Sequence, residues 1–115
     1  MLAAPVDARE QRLARNEVLF REVNERIEQI ANPRGPLDPH VFEFLCECSN
    51  LDCTLRLPLT LADYEEIRSH PTWFVVAPGH ELPEIEELVA RRTEYQVVTK
   101  QGYAAAVVAA QDPRS

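Results

Sequence analysis

The stretch FLCECSNLDCTLRLPL, Phe44 to Leu59, holds all three cysteines of the chain within eight residues and then alternates apolar with other positions. Side chains at i and i+2 of an extended chain share a face. HVFEFLCEC, residues 40–48, therefore reads as a strand with Phe42, Phe44, Cys46 and Cys48 on one side and Val41, Glu43, Leu45 and Glu47 on the other. SNLD has turn composition and brings the chain round to Cys53. TLRLPL resumes the alternation through Leu55, Leu57 and Leu59, so the two runs form a hairpin. Pro58, with no N–H to give a ladder, puts its strand at an edge or ends it.

The cysteine spacing is Cys46-x-Cys48-x4-Cys53. Two thiols on one face of a strand, with a third returned by the turn, make three-quarters of a tetrahedral site, and structural Zn²⁺ takes four N or S ligands. Crowded thiolates need a compensating cation. His80 is the expected fourth ligand, because it follows the turn APGH at the end of a strand expected in the same sheet as the hairpin. His70, His40, Asp52 and water are the other possibilities. Two further readings of the cysteines stay open: buried thiols serving as small apolar side chains, and a redox switch. The three-cysteine complement falls short of an iron–sulfur cluster held by one chain.

Outward from the hairpin, Asp7 can cap a helix over residues 7–31, with Glu10 reaching back to it. Leu13, Phe20, Val23, Ile27 and Ile30 recur at helical spacing as one narrow stripe, with Asn16 in its remaining slot. Glu17–Arg21 and Glu22–Arg26 are i,i+4 pairs expected on the outer faces. The helix ends before NPRGP, where Pro33, Gly35 and Pro36 stop it. The stripe either packs on its own domain or forms a seam with a second chain, with Asn16 setting register. After the hairpin, Thr60 caps a short helix whose inner face is Leu61, Tyr64, Ile67 and Arg68. Strands follow at Trp73 to Ala77, closed by Pro78-Gly79, and around Tyr95 to Val98. GYAAAVVAAQ gives a final short helix. The order predicts an α+β domain: a long N-terminal helix and a small, mostly antiparallel sheet with one or two short helices, stapled by zinc. Residues 1–6 and 111–115 are expected to be flexible, and 37–110 to form the stapled domain.

With 115 residues and net charge −7, the chain suits one small acidic domain whose core gains from an added cross-link. The charge disfavours nucleic acid and favours a protein partner, the chain's own copy included. Arg9, Arg12 and Arg15 are the sole candidate for contact with DNA. The N-terminal sequence lacks the basic head and apolar core of a signal peptide, and no run approaches a membrane span, so the expectation is a cytoplasmic protein. Eleven of the twelve basic residues are Arg, the exception being Lys100, as codon bias in a GC-rich bacterial genome would give.

No phosphate-cradling glycine loop, H-E-x-x-H or G-x-S-x-G occurs in the chain. Glu65, Glu66, Glu84, Glu86 and Glu87 read as a solvated surface, and Trp73 as packing at a strand end. The sequence thus points to a non-enzymatic zinc-binding interaction or regulatory protein, with one structural Zn²⁺ per chain on Cys46, Cys48, Cys53 and His80. It would present Leu13, Phe20, Val23 and Ile27 to a partner. Alternatives are a thiol/zinc redox sensor, a DNA-binding regulator and a zinc-dependent hydrolase in which Glu81 beside His80 acts as base.

Three segments, ARNEVLFREVNERI, FLCECSNLDCTLRLPLTLADYEEIR and FVVAPGHELPEIEELV, together resemble a family of small uncharacterised bacterial proteins. Its members carry an N-terminal amphipathic helix, the C-x-C-x4-C cluster and a VAPGHE turn. The resemblance implies that Cys46, Cys48, Cys53 and His80 belong to the family's motif blocks, and implies no activity.

Overall fold

The computed structural model describes the chain except residues 1–3, 32, 34–37, 49, 51, 113 and 115; side chains are not described at 4–11, 14 and 103 either. Helix α1 spans Ala4–Ala31 and starts three residues ahead of Asp7, which therefore lies in the first turn and not at the cap. The side chains of Asp7 and Glu10 lie outside the described residues. The hairpin follows the alternation of its sequence. Strand β1 (Val41–Leu45) pairs antiparallel with β2 (Arg56–Thr60), with Phe44 opposite Leu57 and Pro58 opposite Glu43. As a two-stranded sheet it has only edges, which is where Pro58 costs no ladder bond.

Helix α2 (Leu61–Arg68) is capped as its sequence requires: the Thr60 hydroxyl accepts from the Asp63 N–H at 3.1 Å. Leu61, Tyr64, Ile67 and Arg68 are its buried face, and the Tyr64 ring stacks on Phe44 at 4.4 Å. A second sheet has the order β3-β5-β4, all antiparallel, from β3 (Trp73–Val76), β4 (Glu86–Arg91) and β5 (Gln96–Lys100). β5 is central, and four of its five residues are buried. β4 is one of the two edge strands, and it carries charges and a bulge between Leu88 and Ala90, both features that discourage edge pairing. No strand is expected here from the sequence, only Glu84, Glu86 and Glu87 as a solvated surface. Helix α3 (Gly102–Ala110) packs on α1 and β5. The α+β class is as expected, with the strands divided between two small sheets. Among the described residues no helix is long and apolar enough to cross a membrane.

The orientation of α1 turns Glu17 and Arg21 inward, against their expected outer-face placement, and leaves the stripe at the side. Its buried face is Glu17, Val18, Arg21, Asn24, Glu25, Glu28 and Ala31. The apolar stripe sits at the flank: Leu13 and Ile27 lean on the core, while Val23 is 41% and Ile30 80% exposed, as is Leu19 beside them at 50%. The stripe is therefore only half-buried on its own domain, with Leu13, Phe20 and Ile27 partly covered. Glu17 and Arg21 are not an outer-face pair either. Lys100, from the end of β5, makes ion pairs with both Glu17 and Glu86 in the interior. Arg21 lies 4.3 Å over the Phe74 ring and donates to the carbonyls of Pro71 (2.7 Å) and Val108 (2.9 Å). Glu86 is thus a core residue, against the surface expectation.

Residues 111–115 were expected to hang free. Asp112 is instead buried against Arg68 at 2.5 Å, and Arg114 pairs with Glu25 and Glu65. Burial pushes the Glu25 and Asp112 carboxyls up, but the guanidinium contacts outweigh it and hold both, and Glu65, below the usual range.

Candidate metal centre

Two sheets meet at the cysteine segment. The Cys46 N–H still belongs to the hairpin ladder, donating to the Leu55 carbonyl at 3.1 Å. One residue on, the Glu47 N–H donates to the Val75 carbonyl at 2.7 Å, so the chain has left β1 for the free edge of β3. Strand β1 ends at Leu45 for this reason, three residues short of the expected Cys48. The alternation persists through the crossing. Cys46 and Cys48 point one way and are buried, and Glu47 points the other way and is buried too.

The return to Cys53 is a small closed turn. The Asn50 side chain accepts from the Asp52 N–H at 2.9 Å and its carbonyl from the Cys53 N–H at 3.0 Å. Asp52 is exposed and stands outside the cluster. His80 arrives by a second turn: its N–H donates to the Ala77 carbonyl at 2.9 Å across Pro78-Gly79, with Gly79 at φ +86°. Pro then Gly at the two central positions is what a type II turn requires.

Cys46, Cys48, Cys53 and His80 thereby converge, each offering one ligand atom, all within 4.8 Å of one another. His80 Nδ1 lies 3.7 Å from both the Cys46 and the Cys53 sulfur. A tetrahedral ion with bonds of ~2.3 Å to sulfur and ~2.0 Å to nitrogen sets its ligand atoms ~3.5–3.8 Å apart, so this spacing fits a metal ion. The Ala77 N–H donates to the Cys46 sulfur at 3.1 Å, an orienting contact of the kind that metal thiolates receive from backbone amides. Cys48 and Cys46 are buried and Cys53 is half-buried, while Cys48, Asn50, Gly79, His80, Glu81 and Leu82 line an open cleft of about 240 Å³.

Electrostatics favour a cation here. Hydrogen bonding from Cys46 pulls the Cys48 thiol down to about 4, and the same bond together with burial pushes Cys46 up. Burial also pushes Cys53 up. Three thiolates in this space need a compensating positive charge, which a divalent ion provides.

The expected alternatives to His80 are engaged elsewhere. His70 stacks on Trp73 at 3.6 Å and His40 meets Phe42 at 4.4 Å. Glu81, the base of the hydrolase reading, faces the Gln96 amide and accepts from it at 2.8 Å when that amide is turned with its nitrogen toward Glu81. Arg12 and Arg15 are exposed on α1, and the Arg9 side chain lies outside the described residues.

Sequence reasoning missed the support behind the cluster. The wholly buried Glu47 carboxylate accepts from Asn24 Nδ2 at 2.8 Å and from the Val75 N–H at 3.0 Å, and burial pushes it up to about 7. Asn24 also brackets the Leu45 peptide, accepting from its N–H at 2.7 Å and donating to its carbonyl at 2.9 Å. The odd spacing of Glu47 between two cysteines was the one available signal. Comparison with protein-family models, curated proteins and solved structures found no match.

Proposed function

We propose that the protein is a small non-enzymatic interaction module held together by one structural Zn²⁺ per chain on Cys46, Cys48, Cys53 and His80. The observation that carries this reading is the convergence of one imidazole and three sulfurs within 4.8 Å, drawn from two turns and the junction of two sheets. Four protein donors close a tetrahedral shell and leave no position for substrate, which suits a structural ion over a catalytic one. A donor set rich in sulfur selects Zn²⁺ over the hard cations. Unpaired thiols at this density suit a reducing compartment, the cytoplasm in this proposal. Membership of the small bacterial family that shares the cluster and the VAPGHE turn belongs to the same reading.

The interaction surface is the outer flank of α1, where Leu19, Val23 and Ile30 are exposed beside the half-buried Leu13, Phe20 and Ile27. An exposed apolar strip on a helix suits a protein partner or a second copy of the chain. Size-exclusion mass across concentration tests the second copy, with Phe20→Glu as the disrupting change. A mass independent of both would remove the dimer.

Metal analysis of protein purified without chelator tests the staple. The expected result is one zinc per chain, with Cys53→Ser lowering both zinc content and melting temperature; zinc-free protein with an unchanged melting temperature overturns it. A second reading, a thiol sensor, is favoured by the cleft beside Cys48 and His80, which lets solvent reach the site. It requires mild peroxide to release zinc and a reductant to restore binding.

A further inference from the structure

We propose that Asn24 and Glu47 are positioning residues that tie the metal cluster to helix α1, so that loading the cluster and seating the helix are one coupled equilibrium. This rests on the zinc reading above and adds its regulation.

Glu47 sits between two ligands. Fixing the cysteines on an ion fixes the Cα positions on either side of Glu47, and the alternation of an extended chain then sends its carboxylate away from the metal, toward α1. There it meets Asn24 on one oxygen and the Val75 N–H on the other. Asn24 uses its remaining capacity on both sides of the Leu45 peptide, immediately before Cys46. Five hydrogen bonds, counting the Glu47 N–H to Val75, thus hold the ligand-bearing segment between one residue of α1 and one of β3. Supporting groups of this kind typically change metal affinity 10–100-fold when removed.

The helix is suited to respond. Its inner face is mainly Glu17, Arg21, Asn24, Glu25 and Glu28, not aliphatic side chains. Lifting such a face into water returns hydration to charged groups, so its seating depends on every polar partner being in place. Coupling is reciprocal: whatever factor the seated helix adds to zinc affinity, zinc adds to the seating of the helix.

The test uses the full chain and zinc alone, with affinity read by competition against a chromophoric chelator. Glu47→Gln turns an NH₂ toward the Asn24 donor, and Asn24→Asp sets two carboxylates face to face; each is expected to weaken zinc binding about 10–100-fold. The double variant puts an acceptor opposite the new NH₂ and should recover part of that loss, which a merely additive effect on folding would not. Hydrogen exchange should show α1 amides from Val18 to Ala31 opening faster in zinc-free wild type than in zinc-loaded protein. A double variant whose loss equals the sum of the singles, or α1 amides equally protected with and without zinc, overturns the coupling while leaving the site intact. Wild-type protein that takes up no zinc overturns the site itself.

Discussion

Lys100, the chain's single lysine, lies in the interior between Glu17 and Glu86 with its ammonium 5.0 Å from the centre of the Phe74 ring. Burial pulls it down to about 8 and pushes Glu17 up to about 7, in both cases against the pull of the ion pair. The signs set a pH dependence. Folded Glu17 keeps its proton up to about 7 where the unfolded chain loses it near 4.5, so its contribution to stability falls as pH rises through that window. Lys100 acts oppositely: between about 8 and 10.5 the unfolded chain holds a proton that the folded one has released, and stability rises. Carbon-detected NMR of the Glu17 carboxyl should give a midpoint near 7, moving higher in Lys100→Met; a midpoint near 4.5 would contradict the burial. Lys100→Met should also cost about 3–5 kcal/mol in denaturant unfolding, since it leaves two buried carboxylates without their cation. At this scale the four residues of the cluster were legible, because cysteine spacing and a Pro-Gly turn are local signals. Glu17–Lys100, 83 residues apart, leaves no local signal.

Two elements show why local pattern succeeded in one place and failed in another. The turn Ala77 to His80 was readable from Pro78-Gly79 alone. Gly79→Ala meets no neighbour within 4 Å, so its cost is the strain of a left-handed backbone, about 1–2 kcal/mol. A fall in melting temperature with a matching loss of zinc affinity checks it, because the turn aims His80. Helix α1 misled for a physical reason. A repeating apolar stripe ordinarily marks the buried face, and here Arg21 and Glu17 reach buried partners on β5, α3 and the segment before β3 that only the tertiary fold supplies. Substitutions should follow the observed orientation. Ile30→Lys should change unfolding free energy by less than about 0.5 kcal/mol. Arg21→Ala, which strips the Pro71 and Val108 carbonyls of their donor, should cost about 2–4 kcal/mol. Equal effects from the two would return the stripe to the core. The pairing of the hairpin and α2, by contrast, followed the sequence, since Pro58, Thr60 and the alternation Phe42, Phe44 act within a few residues. β1 nevertheless stops at Leu45, and Leu55 lies exposed before β2.

Across the whole molecule, two small sheets and a polar-faced helix share the junction at Cys46–Cys48. The α+β class was legible from element order; the division into two sheets was not, because nothing in HVFEFLCEC marks the residue at which the chain changes partner. The two-stranded hairpin is too small to stand alone, and an ion held by Cys46, Cys48, Cys53 and His80 would tie it to the turn that follows β3. Ligand that binds only the folded state stabilises it by RT ln(1 + [L]/Kd), so chelation should lower the melting temperature and returned zinc restore it. The most direct measurement is X-ray absorption at the zinc edge of the purified protein. Three sulfurs at ~2.3 Å and one nitrogen at ~2.0 Å are the expected shell. A shell of oxygen and nitrogen alone, or one unchanged by Cys53→Ser, would contradict a zinc ion bound by Cys46, Cys48, Cys53 and His80.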